Sequence, residues 1–387
     1  MKKIRKKYLA FGSPDFTSQE INAVTKVLKS GWVGMGPQTI AFEEELSNYL
    51  DVSNIILVNS CTSALFLALL ANNIGPGDEV IVPSLTWCAT ANAVLYLGAK
   101  PIFCDVDLGS FSVTPELIQE KITKKTKAII PVHFGGYAID TSQIREALPR
   151  DNIAIIEDAA HAIGSSYQNG KKVGSSESIT CFSFYANKNI STADGGALAL
   201  NDNVKAEIIR SLRLNGMSSN AWSRYISPKT EKVSGLKQLG YKMNYTDLQA
   251  SIGRIQLKRL DIMNAQRSKL AKRYQNQIKK ANLDILFQSG VFSDGHAKHL
   301  FIGLIDKEKL GISRDQLFIE LRKRNIGVAV HYQPLHEMPL YKSGLRYDLK
   351  NTEKLGSQLI TFPISAKMEN QDVDYVVDHL ADIISSV

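Results

Sequence analysis

The sequence predicts an α/β fold: a large unit on a mostly parallel central sheet, followed by a smaller C-terminal α+β unit. Three observations carry this. Short, nearly continuous apolar runs recur through the first two-thirds of the chain, at 55–58, 80–82, 101–106, 128–132, 153–156 and 179–184. They are bounded by Gly, Pro, Asn or Asp, as expected for strands buried on both faces of a parallel sheet. Amphipathic stretches lie between most of them, and strand–helix alternation of this kind places helices on both sides of the sheet. After about residue 250 the alternation gives way to longer helical periodicity.

The elements follow in order. Thr17-Ser18-Gln19-Glu20 is a capping box, with Ile21, Val24, Val27 and Leu28 on one helical face and Gly31 as the stop. Thr114-Pro115-Glu116 is a second helix start. A long Lys- and Arg-rich helix is predicted over 247–274, then a strand over 300–305, a helix over 313–324, a strand over 326–331 and a terminal helix near 371–385. The expected division is 1–262 for the large unit and 263–387 for the small one. No internal repeat or low-complexity tract interrupts the chain.

Of the 387 residues, 44% are hydrophobic and 22% charged, which suits a globular protein of this organisation. No stretch approaches the roughly 18 uninterrupted apolar residues of a membrane span. The basic start, MKKIRKKYLAFGSP, lacks the ~7–15-residue apolar core of a signal peptide and reads as a solvated arm, so a cytoplasmic location is expected. Cys61, Cys88, Cys104 and Cys181 are scattered without a CxxC pair, which fits free thiols and gives no metal site. A net charge of +8 favours anionic partners, but the basic runs bring no nucleic-acid signature with them, so no nucleic-acid partner is expected.

Ligands of open α/β sheets bind beyond the carboxyl ends of the strands, and four segments deliver polar residues there. Asn59-Ser60-Cys61-Thr62-Ser63 precedes a helix, where free backbone N–H groups and hydroxyls make either an anion site or an ordinary cap. Glu157-Asp158-Ala159-Ala160-His161 ends an apolar strand in acids. An ionised Asp158 there could keep a pyridine nitrogen protonated, or it could simply cap a helix. Ser183-Phe184-Tyr185-Ala186-Asn187-Lys188 sets a lysine in a short loop after a buried strand and before Gly195-Gly196. Burial would lower its pKa and let the free amine attack an aldehyde; a solvated surface lysine is the alternative. Pro83-Ser84-Leu85-Thr86-Trp87 presents an indole able to stack on a flat ring or to pack in the core.

In order and spacing these segments resemble the DegT-type nucleotide-sugar aminotransferases, a branch of the fold type I enzymes that use pyridoxal 5′-phosphate (PLP). The resemblance runs from about Ser13 to the C-terminus. It is strongest at Gly31-Trp32, Gly36-Pro37, 59–64, 77–80, 157–164, 183–196, 240–249 and 331–336. It implies that Lys188 carries PLP as a Schiff base and that Asp158 faces the pyridine nitrogen. His161 would stand beside the ring hydroxyl, Trp87 would stack on the ring, and Thr62, Ser63 and Ser183 would hold the phosphate. The loop Gly240-Tyr241-Lys242-Met243-Asn244-Tyr245 would complete the phosphate site of a second copy through Lys242 and Asn244, making a homodimer the catalytic unit. Tyr185, His331 and Tyr332 would face the substrate.

Ser84-Leu85-Thr86-Trp87, Gly240-Tyr241-Lys242, Thr246-Asp247 and Gly311-Ile312-Ser313-Arg314-Asp315 look most like the UDP-4-amino-4-deoxy-L-arabinose aminotransferases and their C4-aminating relatives. That implies glutamate as amino donor, a UDP-linked 4-keto sugar as acceptor, and a product for lipopolysaccharide or another surface glycan. The sequence departs from the common family pattern at three places: Lys242 and Asn244 stand at positions often Asn and Arg, Tyr185 at a frequent His, and Asp194 at a usual Glu. Four other readings compete: a C3-aminating enzyme, a dehydratase of the same scaffold, a regulatory protein that keeps the fold without catalysis, and a nicotinamide-dependent oxidoreductase. A dehydratase would replace the lysine with His, and Lys188 is present. Joint retention of Lys188, Asp158 and Trp87 argues against the regulator, and the lack of GxGxxG after the first strands argues against a nicotinamide enzyme.

Overall fold

Strands that are apolar on both faces need cover on both sides, and this chain supplies it with helices. The computed structural model describes residues 2–217, 221–226, 236, 238–342 and 347–387. Seven strands form the main sheet: β1 (Asn54–Val58), β2 (Glu79–Pro83), β3 (Lys100–Cys104), β4 (Thr126–Ile129), β5 (Ala154–Asp158), β6 (Ile179–Ser183) and β7 (Gly196–Leu200). Their order is β1-β7-β6-β5-β4-β2-β3. From β3 to β6 every pairing is parallel, and β7 alone runs antiparallel to its neighbours β6 and β1. The sheet is therefore mostly parallel, as the apolar runs predict.

Alternation along each strand divides the core. Ile56, Val58, Val80, Val82 and Ile156 pack with the helices Cys61–Ala71 and Cys88–Leu95 on one face. Ile55, Leu57, Ala197 and Ala199 pack with the helix Pro37–Leu50 on the other. Ile81, Ile129 and Ile155 meet Ile118 and Ile144 of two short helices, Pro115–Gln119 and Thr141–Ala147. Among the described residues no helix is long and apolar enough to cross a membrane.

The 34-residue helix Asp247–Lys280 passes through the division expected at 262/263. Its Leu257 and Leu260 join the core around Phe42, whereas Leu270, Ala271, Tyr274 and Ile278 join a second core with Phe301, Phe362 and Val376. Gly253 permits the first contact, since a Cβ there would lie 2.4 Å from the Phe42 ring. The second core covers a three-stranded antiparallel sheet, β10 (Leu359–Phe362), β9 (Phe301–Leu304) and β8 (Leu286–Phe287). The terminal helix, Asn370–Ile384, closes it.

Two expectations are corrected. The strand expected over 326–331 does not form; Ile326 bridges to Leu9 and Ala329 to Thr361, so the backbone divides its pairing between two partners. The basic N-terminal arm is anchored rather than merely solvated. Leu9 N–H donates to Asn325 O at 2.9 Å, Gly327 N–H donates to Leu9 O at 2.7 Å, and Arg5 pairs with Asp372 at 2.9 Å. The arm thus belongs to the second core, although it begins the chain.

Candidate functional site

The carboxyl ends of β1, β2, β5 and β6 all open onto one cavity of about 490 Å³. After β1 the chain turns directly into the helix Cys61–Ala71, whose N-cap Ser60 accepts from Ser63 N–H at 3.1 Å. Ser60 and Thr62 line the cavity. Ser63 does not; its hydroxyl donates to Asn59 Oδ1 at 2.7 Å and serves the cap. After β2, Thr86 and Trp87 reach the cavity, and Trp87 stays 59% exposed at its mouth, 5.7 Å from the ring of Tyr332.

β5 ends at Asp158. Strand alternation sends Glu157 to the opposite face, where His133, Thr141, Tyr167 and Ser176 all donate to it. Asp158 is only 5% exposed; it accepts from Thr90 Oγ1 at 2.8 Å and Ala160 N–H at 3.1 Å. Burial raises its pKa, while these donors and the nearby Lys188 pull it back. Among the described residues it forms no ion pair, so a cation or strong donor entering the cavity would gain from it.

After β6, Ser183 lines the cavity and the backbone folds into a turn in which Lys188 N–H donates to Tyr185 O at 2.9 Å. Burial of Asn189 and Ile190 fixes the far side of this turn. The Lys188 side chain lies inside the protein, and desolvation lowers its pKa from 10.5 to about 8, against the opposing pull of Cys61 and Asp158. Tyr185 is 53% exposed at the rim. Asn187 and Asp194 also line the wall, and among the described residues the buried Asn187 Oδ1 has no hydrogen-bond partner.

His161, His331 and Tyr332 complete the enclosure. Gly135 N–H donates to His161 Nδ1 at 3.2 Å, so a neutral His161 bears its proton on Nε2, which lies 3.1 Å from the Tyr332 hydroxyl. Burial keeps His161 well below 6.5 and takes His331 down to about 3, with the Lys188 charge adding to both. Lys242 and Asn244 stand outside this cavity. They bond to one another on a segment in which Asn244 bridges β1 at Val58.

Nine of the twelve residues singled out from the sequence thus line one cavity: Thr62, Trp87, Asp158, His161, Ser183, Tyr185, Lys188, His331 and Tyr332. Sequence reasoning does not reach Thr90, which holds Asp158, or His299, which lies 3.4 Å from Lys188. His299 carries a weaker form of the Asp158 signal: it is a buried polar residue two positions before the mostly buried β9, whereas Asp158 is the last residue of a strand of the main sheet.

The sequence profile of the DegT/DnrJ/EryC1/StrS aminotransferase family matches residues 14–381. The chain belongs to this family. The aminotransferase is 39% identical over 385 residues to the spore coat polysaccharide biosynthesis protein SpsC of Bacillus subtilis, covering 98% of each chain. Its fold matches Helicobacter pylori PseC, an aminotransferase of pseudoaminic acid biosynthesis, with a TM-score of 0.89 at 27% identity, over 98% of this chain and 100% of that one. The PMP form of Spr1654 from Streptococcus pneumoniae gives 0.88 at 31% identity, over 98% and 99%, and a PLP form of that protein gives 0.87. The fold is thus that of a fold type I sugar aminotransferase, and its cofactor is PLP. The donor set of the cavity fits that group: a buried amine lowered towards neutrality, a buried unpaired carboxylate, an indole at the mouth, and hydroxyls at the start of an eleven-residue helix.

Proposed function

We propose that this aminotransferase moves an amino group from glutamate to C4 of a UDP-linked 4-keto sugar, giving a 4-amino sugar for lipopolysaccharide or another surface glycan. The observation that carries the reading is the meeting of Lys188 and Asp158 in one cavity whose mouth is lined by Trp87 and Tyr185. When bound, PLP supplies an aldehyde to take up the amino group and an electron-withdrawing ring. Asp158 would keep the ring nitrogen protonated, and His161 would face the ring hydroxyl. Thr62 and Ser183 would hold the phosphate, with Ser63 fixing the cap of the helix that Thr62 begins, where backbone N–H groups and the dipole favour anions. Lys188 Nζ, largely deprotonated at a pH above about 8, picks up and returns the proton that amino transfer must move.

Tyr185, His331 and Tyr332 would face the sugar, and Trp87 would stack on the cofactor ring. Lys242 and Asn244, exposed or half-buried and outside their own chain's cavity, suit contact with the phosphate bound by a second copy. That assembly is a homodimer with shared sites. The wider context comes from SpsC and PseC, whose names place them in polysaccharide and pseudoaminic acid biosynthesis.

Two measurements test the reading. Borohydride reduction of the purified protein followed by peptide mapping should leave the cofactor on Lys188, and a tag on any other lysine overturns that role. Incubation with glutamate and a panel of nucleotide-linked keto sugars, read by mass spectrometry, should show amination of UDP-linked 4-keto sugars. Preference for 3-keto sugars would replace the C4 assignment with C3.

A further inference from the structure

An amine can serve as nucleophile and proton carrier only if its lone pair points into the cavity, and a lysine side chain has four rotatable bonds with which to misplace it. We propose that His299 is a positioning residue for Lys188, its bare Nε2 accepting a hydrogen bond from the amine while Asn189 fixes the ring in the Nδ1–H form. The inference rests on the reading of Lys188 as the cofactor lysine.

Hydrogen-bond geometry alone settles the tautomer. Asn189 Nδ2 lies 2.8 Å from Ala297 O, a carbonyl that can only accept, so this atom is the amide NH₂. The same NH₂ donates to Asn264 Oδ1 at 2.7 Å, and Asn264 Nδ2 is itself committed to Ile163 O at 3.3 Å. Asn189 Oδ1 is therefore an acceptor, and His299 Nδ1, 3.1 Å away, must carry the proton it donates. A neutral His299 then has a lone pair on Nε2, and Lys188 Nζ lies 3.4 Å from it. With one N–H committed to His299, rotation about the last bond of the side chain is restricted, and the lone pair is held away from the imidazole.

His299 accepts but does not take the proton. It is fully buried and sits well below 6.5, held there by desolvation first and then by Lys188, His161, Arg267 and His331. Lys188, faced by Cys61 and Asp158, retains its proton up to about 8, so the imidazole is much the weaker base of the pair. His161 lies against His299 with ring centroids 4.6 Å apart and planes tilted by 36°, and it has the opposite tautomer, Nε2–H. The two rings thus offer different functions, His299 an acceptor to the lysine and His161 a donor towards Tyr332.

Nitrogen-15 spectra of the full chain, stripped of cofactor and labelled at histidine, provide a readout that needs no turnover; the His299 signals are those lost in His299→Gln. The expected result is a protonated Nδ1 and a bare Nε2, with Lys188→Met moving the Nε2 resonance and leaving Nδ1 in place. A protonated Nε2, or an Nε2 signal indifferent to Lys188→Met, overturns the inference. A second arm follows the rate at which the full-length protein, stripped of cofactor, forms its linkage with added PLP, read by absorbance. His299→Phe should slow this about tenfold, the size of one ordinary hydrogen bond, while His299→Gln, which keeps an acceptor at the same place, should stay within about threefold. Equal rates for wild type and His299→Phe, or no advantage of Gln over Phe, defeat it. Borohydride tagging separates the two levels: a tag absent from Lys188 overturns the lysine assignment, whereas a tag on Lys188 with unchanged linkage rates overturns only the role of His299.

Discussion

Replacing Asp158 by Asn keeps the shape of the side chain and removes its charge, so it isolates the electrostatic part of the site. One carboxylate oxygen accepts from Ala160 N–H and the other from Thr90 Oγ1, and an amide can satisfy only one of these as an acceptor. Thr90 can turn to Thr86 Oγ1, 3.1 Å away, so the structural cost stays near one hydrogen bond, about 1 kcal/mol. The chemical cost is larger. A unit charge pair about 4 Å apart is worth ~4 kcal/mol at an effective dielectric of 20, and an amide recovers part of that as a neutral contact. A net loss of about 3 kcal/mol in the transition state is expected, a fall in kcat of about 10²-fold. Asp158 also raises the Lys188 pKa, so its removal leaves the amine more neutral, and formation of the Lys188–cofactor linkage should not suffer. The assay is therefore paired: bound cofactor by absorbance after dialysis, and turnover with the preferred keto sugar. Near-normal turnover, or cofactor loss in proportion to lost activity, refutes the reasoning.

Cofactor uptake by the stripped protein should rise with pH through a midpoint near 8, because the lowered pKa leaves about a tenth of Lys188 neutral at pH 7, against about 0.03% for an ordinary lysine. A midpoint near 10 would show an unperturbed amine. Mixing Lys188→Ala with Lys242→Ala subunits, each poorly active alone, should regenerate one intact site per hybrid dimer. Failure of mixing to restore any activity excludes a loop that acts across the interface. Gly253→Ala should lower stability by about 1–2 kcal/mol despite the better helix propensity of Ala, because the new methyl would meet the Phe42 ring. Thermal unfolding decides it, and an unchanged or raised Tm contradicts the packing argument.

The main sheet was legible because six of its strands are continuous apolar runs, and burial on both faces leaves that mark on the sequence. β7 escaped because Gly196-Ala197-Leu198-Ala199-Leu200 begins with glycine and alternates alanine with leucine, and its place in the sheet comes from antiparallel pairing with β1 and β6. The segment at 326–331 misled for the opposite reason: apolar and β-branched, it looks like a strand, yet its partners Leu9 and Thr361 lie on different elements. Within the site, Lys188 and Asp158 could be singled out because one follows and the other ends a buried run, and because both match the family pattern. Thr90 and His299 could not, since their importance depends on which residues lie beside them, at separations of 68 and 111 positions.

The anchoring of the N-terminal arm sets an order on synthesis. Asn325 Nδ2 donates to Arg5 O across 320 positions of sequence, and Tyr375 OH accepts from Arg5 N–H across 370. At about 5–20 residues per second, the arm leaves the ribosome roughly 15–70 s before its partners exist. During that interval Leu9 has no core to enter, while the strands β1 to β7 can already pair. The segment carrying His331 and Tyr332 emerges only after Asn325, so the last wall of the cavity and the docking of the first residues belong to the same late event.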